Sequence, residues 1–148
     1  MSAPGRPPVT MGVVVAASAR FEQFTLAGIA ALHLGVGLTH TYGHAVADVP
    51  IPAAQQAYIA VVVTLLPLVA VWLAFRRSVR LGAALFAASM YASFVFGYLL
   101  HFVIDSPDLH SNVVGDSAGV FFHTALNLAL IEFVGFAFGL VAAVRRIR

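Results

Sequence analysis

The chain has 148 residues, of which 61% are hydrophobic and 9% are charged, and its formal net charge is +2. Because soluble domains carry roughly 25% charged residues, this composition excludes an ordinary soluble protein. The absence of cysteine excludes disulfides, thiolate metal ligands and a cysteine nucleophile. The sequence also contains no lysine, which excludes chemistry that passes through a lysine Schiff base.

The organisation along the chain is that of a multi-pass membrane protein. A Pro-containing segment, residues 1–20, is predicted to lie in the cytoplasm ahead of a single membrane domain, residues 21–148. Within that domain four apolar stretches approach the roughly 20 residues that a helix needs to cross a bilayer; they are 24–42, 57–75, 81–104 and 117–144. The tight RRSVR link forces the second and third stretches into a hairpin. We therefore predict an all-α, antiparallel bundle of four transmembrane helices.

Two features within the predicted helices bear on their packing. Pro67 is predicted to kink the second helix, because a mid-helix proline removes one hydrogen bond and clashes with the preceding turn. Gly135 and Gly139 form a GxxxG pair in the fourth helix, and small residues at this spacing let helices approach closely in lipid. We interpret this pair as an intramolecular packing surface.

The arginines predict the orientation of the bundle. With four crossings, all eight basic residues fall on the same side; they are Arg6, Arg20, Arg76, Arg77, Arg80, Arg145, Arg146 and Arg148. By the positive-inside rule that side is the cytoplasm, so both termini are predicted to be cytoplasmic. We expect a multi-pass protein of a prokaryotic cell membrane, with the lipid bilayer as its first partner.

The histidines are the main candidates for a functional site. All six are predicted to lie in the outer half of the bundle or in its outer loops. At about 100° per residue, His33, His40 and His44 fall within an arc of about 40° on the first helix. Ionisable residues inside a membrane are costly and usually face the bundle interior, where they bind a ligand, line a path or form pairs.

The leading hypothesis is a transition-metal site near the extracytoplasmic face. Imidazole and carboxylate ligands suit copper, zinc or iron, and pairs at i and i+4 give the one-face spacing that helical metal sites use. The candidate ligands are His40, His44, His101, Asp105 and His123. Such a site fits redox chemistry, metal handling or a subunit of a larger membrane complex, and whether the protein is an enzyme stays open at this stage.

Two alternatives belong to other functional classes. The first is a haem b protein that exchanges electrons with quinone, with His33 and His123 as the axial ligands on different helices. The second is a non-catalytic membrane subunit or small carrier, in a homo-oligomer or a larger membrane complex, whose histidines only hold helices together. In that case His33 is expected to bond to a backbone group or to Thr64.

Three further polar residues carry separate expectations. Glu132 lies nine residues beyond His123 and so about 180° away on an ideal helix. This predicts a protonated carboxyl group that pairs with another helix or subunit, or a step in a proton path, outside the metal site. Asn127 shares a face with His123 at i and i+4 and is a candidate for polar pairing. His110 lies in a loop rich in turn-forming residues and is expected to be solvated.

Several functions lack their sequence signals. The chain contains no Gly-rich phosphate loop, no nucleophile elbow and no extended basic surface for nucleic acid. The HTYGH segment lacks the glutamate of the HExxH motif, so it does not predict a zinc protease.

Overall fold

The fold consists of four long helices. The computed structural model describes the backbone of residues 9–145 and the side chains of residues 17–145, and within this part of the chain it contains no strand. The helices are α1 (Val9–Val46), α2 (Ala53–Arg76), α3 (Val79–Phe102) and α4 (Ala118–Arg145). The predicted all-helical architecture is confirmed.

The helix ends differ from the sequence-based boundaries by one to four residues at most positions, and the differences at the start of α1 and the end of α3 are the ones that bear on the site. Helix α1 begins at Val9, so residues 9–20 of the predicted N-terminal segment are helical, whereas residues 1–8 and 146–148 lie outside the described residues. Helix α3 ends at Phe102, two residues before the predicted end at position 104. That early end changes where Asp105 lies.

The four helices are long and apolar enough to cross a membrane, over Ala17–Val46, Ala53–Arg76, Val79–Phe102 and Ala118–Arg145. Large apolar side chains cover their outward faces, including Leu38, Trp72, Tyr91, Leu130 and Phe133. Soluble monomers rarely expose contiguous apolar patches larger than a few hundred Å². The lateral surface of the bundle is therefore suited to contact with lipid.

The helices pack in a ring that is incompletely closed. Helix α3 packs against both α2 and α4, and α4 packs against α1. Helices α1 and α2 meet at the arginine end, where Gln23 Nε2 donates to the carbonyl oxygen of Ala74 at 2.8 Å. Toward the opposite end, residues 59–65 of α2 pack against α3, and Tyr58 contacts that helix as well.

Glycines allow the closest helix approaches. A Cβ at Gly82 would lie 2.6 Å from the carbonyl oxygen of Ala70, so α2 and α3 are in backbone contact there. A Cβ at Gly139 would lie 3.0 Å from the carbonyl oxygen of Ala83, and one at Gly135 would meet Met90. The GxxxG pair of α4 therefore packs within the molecule, as predicted.

Helix α2 is irregular just before its proline. Residues Ile59–Leu65 form a π-helix, and the regular α-helix resumes over Leu66–Arg76, with Pro67 in its first turn. Proline cannot donate a backbone hydrogen bond, and the turns just before Pro67, where a kink was predicted, are wider than those of an α-helix. Such π-helical turns occur frequently at functional sites.

Candidate metal centre

Three histidines converge where α1 and α3 end. His40 and His44 lie one turn apart on α1, and His101 lies in the last turn of α3. The Nε2 atom of His40 is 3.1 Å from Nε2 of His101 and 3.2 Å from Nε2 of His44. All three side chains are buried, and one ring nitrogen from each lies within 4.8 Å of the others. This histidine trio can hold a metal ion.

Backbone carbonyl groups fix the tautomers of two of these rings. Nδ1 of His101 donates to the carbonyl oxygen of Asp108 at 3.0 Å, and Nδ1 of His44 donates to that of Val49 at 3.3 Å. A carbonyl oxygen can only accept, and a neutral imidazole carries one proton. In both neutral rings the proton is therefore on Nδ1, and the lone pair of Nε2 points toward the centre of the trio.

A hydroxyl group on α4 does the same for His40. Nδ1 of His40 lies 2.9 Å from Oγ1 of Thr124. The hydroxyl proton of Thr124 is directed at backbone carbonyls of its own helix, those of Val120 at 2.7 Å and Phe121 at 3.1 Å. Oγ1 of Thr124 therefore accepts from Nδ1 of His40, and α4 orients a ligand that α1 carries.

The resulting arrangement places three lone pairs against one another. Neutral nitrogen acceptors 3.1–3.2 Å apart repel unless a cation lies between them. Zn–N bonds of about 2.0–2.1 Å in tetrahedral geometry separate ligand nitrogens by about 3.3 Å. The distances from Nε2 of His40 to the other two rings are thus close to the spacing that a bound transition metal requires, and the third pair of ligand nitrogens lies within 4.8 Å.

An aromatic side chain shields the trio. The ring of Phe121, which is fully buried, lies 5.2 Å from that of His40, 4.9 Å from that of His44 and 5.4 Å from that of His101 between centroids. Phe121 packs with Val49 and Val113 in a small apolar cluster. An apolar shell of this kind controls solvent access and the local dielectric at a metal site.

Asp108 is a buried carboxylate beside the trio, and the sequence interpretation missed it. It is 4% exposed, it lines the same cavity as the three histidines, and its Oδ1 is the one fully buried side-chain oxygen or nitrogen without a hydrogen-bond partner among the described residues. Buried polar atoms are almost always satisfied. An unpaired carboxylate oxygen here is therefore consistent with a site built for a cation or its bound water.

The loop that carries Asp108 folds back over the end of α3. The backbone N–H of His110 donates to the carbonyl oxygen of His101 at 3.0 Å, and Nδ1 of His110 donates to the same oxygen at 2.9 Å. His110 was expected to be solvated, but it is half-buried and helps to place the loop. No sequence pattern indicated this contact.

Two predicted ligands lie outside the trio. His123 is exposed and its ring contacts Phe122, and Asn127 on the same face is also exposed. Asp105 is exposed as well, and its Oδ1 accepts from Nδ2 of Asn112 at 2.9 Å. Because α3 ends at Phe102, residues 101 and 105 are not on one helical face.

The haem hypothesis required a different pair of histidines. Nε2 of His33 lies 3.0 Å from Oε1 of Glu132, and both side chains are buried. His123, its proposed partner across a haem, is at the surface. Glu132 thus pairs with α1 and stays separate from the histidine trio, whereas the bond expected between His33 and Thr64 is not formed.

A cavity of about 150 Å³ joins the trio to the His33–Glu132 pair. All four helices line it, and its lining includes His33, Gly37, Leu38, Leu68, Gly97 and Glu132. No protein family, curated protein or solved structure matches the chain. The chemistry of the site therefore has to be inferred from these residues.

Proposed function

We propose that this protein is an integral membrane metalloprotein that binds one divalent transition-metal ion through Nε2 of His40, His44 and His101. The observation that carries this proposal is that each ring donates Nδ1–H outward, to Asp108, Val49 or Thr124, and turns an unprotonated Nε2 inward. Metal-binding histidines almost always make such an outer hydrogen bond, which fixes the tautomer and orients the ring.

A purely structural histidine cluster is less compatible with the same contacts. If the Nε2–Nε2 contacts were hydrogen bonds between neutral rings, at least one ring would carry its proton on Nε2. In His44 or His101 that tautomer would leave a bare Nδ1 facing a carbonyl oxygen, and in His40 it would remove the bond that Thr124 accepts. A metal ion satisfies all three Nε2 atoms and keeps every outer bond.

The ligand set favours a reactive site over a structural one. Structural zinc sites use four protein ligands, whereas catalytic sites use three and keep a position open. Three imidazoles suit zinc, copper or iron, and the negative charge of Asp108 favours a divalent ion over monovalent copper. The open position then belongs to water or to a small molecule in the adjoining cavity.

The bilayer and the extracytoplasmic face complete the proposal. The described arginines, namely Arg20, Arg76, Arg77, Arg80 and Arg145, belong to one end of the bundle, and the trio belongs to the other. If the positive-inside rule sets the orientation, the metal centre faces the outside of the cell membrane, and both termini are cytoplasmic.

The test is metal analysis of protein purified in detergent without chelators, followed by titration with zinc, copper(II) and iron(II). We expect one metal ion per chain and a loss of affinity of at least 100-fold in His40→Ala and in His101→Ala. His123→Ala is the matched control, because this histidine is exposed and should leave metal binding unchanged. Circular dichroism establishes that each variant is folded.

Two results would overturn the proposal. One is a wild-type protein that binds none of the three metals more tightly than folded His40→Ala does. The other is loss of metal in His123→Ala together with retention in both trio variants.

A further inference from the structure

The end of the cavity farther from the histidine trio holds a polar pair with unused hydrogen-bonding capacity. His33 is 4% exposed and Glu132 is 3% exposed. They bond to each other through Nε2 and Oε1, and neither Nδ1 of His33 nor Oε2 of Glu132 has a hydrogen-bond partner among the described residues. Both residues line the cavity, and neither of these two atoms is fully buried. The pair can therefore bond to a molecule inside the cavity.

Small residues leave room in front of this pair. A Cβ at Gly97 would lie 3.9 Å from Oε2 of Glu132, and a Cβ at Gly37 would have no heavy atom within 4 Å. A cavity of about 150 Å³ matches the size at which an engineered protein cavity binds benzene. The space is therefore sufficient for one six-membered ring.

Exposed side chains of α1 and α2 place the opening of the cavity at the side of the bundle. Leu38 on α1 and Leu68 on α2 line it and are also exposed on the lateral surface. The first half of α2 is held on α3 instead of α1, since Tyr58 donates to the carbonyl oxygen of Ala92 at 3.1 Å and stacks on Phe96 at 4.4 Å. In a membrane such an opening faces the lipid chains and admits a hydrophobic molecule.

The two ends of the cavity define the chemistry of its occupant. His33 and His40 lie two turns apart on α1, which is about 10 Å along the helix at about 1.5 Å per residue. A His–Glu pair is neutral as a unit and offers both a donor and an acceptor. The opposite end carries the histidine trio. An occupant that bonds at both ends needs a polar group on each side of a ring, whereas a lipid alcohol or fatty acid has a polar group on one side alone.

We infer that this cavity binds the head group of a lipid-soluble quinol or quinone, entering from the bilayer between α1 and α2, with one ring oxygen at His33 and Glu132 and the other directed toward the trio. The inference goes beyond the proposed metal function. The contacts at His33 and Glu132 do not require the metal.

The test uses Gly37→Leu to fill the cavity. Nothing obstructs a side chain at this position, and leucine has a higher helix propensity than glycine, so the variant should fold. Gly35→Leu is the matched control, because Gly35 lies on the same helix, also has free space around it and is exposed outside the cavity. Both variants and Glu132→Gln are placed in lipid nanodiscs, and saturable binding of a decyl-benzoquinone and its quinol is measured.

We expect the quinone and the quinol to bind saturably to the wild type and to Gly35→Leu. Their affinity for Gly37→Leu should be at least 10-fold lower. Glu132→Gln should lower the affinity for the quinol, because the amide cannot accept and share a proton as the carboxyl group does. Metal content is measured on the same samples. Wild-type protein that holds metal but shows no saturable quinol or quinone binding would overturn the inference and leave the metal function intact, and so would undiminished binding to folded Gly37→Leu. If the wild type bound the quinol or quinone but held no metal, the proposed metal function would be wrong and the inference about the cavity would stand.

Discussion

At the scale of single residues, the histidine trio depends on acceptors that lie on other elements. Thr124 is the clearest case, because α4 contributes no histidine to the trio and yet holds His40 through this hydroxyl. Thr124→Val keeps the shape of the side chain and removes the acceptor. We expect metal affinity to fall about 10- to 100-fold, which is the usual effect of losing an outer hydrogen bond to a metal ligand, as measured by competition with a chromophoric chelator.

The control for that substitution is Thr39→Val. The hydroxyl of Thr39 is exposed and bonds to the carbonyl oxygen of Gly35 in its own helix at 3.0 Å. Thr39→Val should leave the metal affinity unchanged. Thr124→Ser should retain most of the metal affinity that Thr124→Val loses, because serine keeps the hydroxyl group. Equal affinities in all three variants would show that Thr124 does not orient His40 for binding.

Asp108 gives a second prediction at this scale. Asp108→Asn removes the buried negative charge beside the trio with little change in volume, and we expect the affinity for a divalent ion to fall at least 10-fold while copper(I) affinity changes less. Asp105→Asn removes an exposed carboxylate from the same loop and should have no effect. Parallel titrations with zinc and copper(I) test this, and equal losses in both variants would contradict a specific role for Asp108.

The structure brings some of the predicted site residues together and leaves others apart for a geometric reason. His40, His44 and His101 come together as expected, because depth and spacing can be read along a helix. The rotation of α4 about its axis cannot be read this way: Thr124 faces the trio, so His123, one residue earlier and about 100° away, faces outward. The same rotation turns Glu132, opposite His123, toward α1. Asp108 and His110 depend on the path of a loop that has no periodicity.

At the scale of elements, the hairpin of α2 and α3 depends on the backbone contact at Gly82. Gly82→Ala would force a methyl group within 2.6 Å of backbone atoms of α2, including the carbonyl oxygen of Ala70. Because backbone cannot move aside as a flexible side chain can, we expect a loss of about 1–3 kcal/mol in the free energy of unfolding. Thermal and denaturant unfolding in detergent, followed by circular dichroism, measure it.

Gly28→Ala is the comparison for this element. Gly28 is exposed and a Cβ there meets nothing within 4 Å, so alanine should leave stability unchanged or raise it through helix propensity. If both alanine variants were equally stable, the close approach of α2 and α3 would not be essential. Metal affinity should survive Gly82→Ala, since the trio is at the other end of the bundle.

The elements themselves were predictable to different degrees. Long apolar stretches and the RRSVR link were sufficient to predict four helices and one hairpin, because a bilayer-length apolar run has few other structures open to it. The π-helix at Ile59–Leu65 was not predicted. Sequence reasoning predicted a kink at Pro67, but the form that the preceding turns take depends on packing against α3.

At the scale of the whole molecule, charge and chemistry separate along the bundle axis. The described arginines are at one end, whereas Asp48, Asp105, Asp108 and Asp116 lie in the two connections at the other, next to the trio. Such an asymmetry orients a membrane protein during insertion. A site at the acidic end would then exchange metal with the extracytoplasmic side, whereas the cavity is reached from the lipid.

The absence of native cysteine makes this orientation directly measurable. Val114→Cys places a thiol in the loop before α4, at a position that is 82% exposed, and Arg77→Cys places one in the link between α2 and α3. In intact cells a membrane-impermeant maleimide should label Val114→Cys. It should label Arg77→Cys only after the cells are permeabilised, because the seven remaining arginines keep that end of the bundle in the cytoplasm. The reverse labelling pattern would show that the orientation is opposite to the one proposed and that the metal centre faces the cytoplasm. Labelling of both thiols in sealed cells would contradict the four-crossing topology itself, since positions 77 and 114 are separated by a single crossing, that of α3.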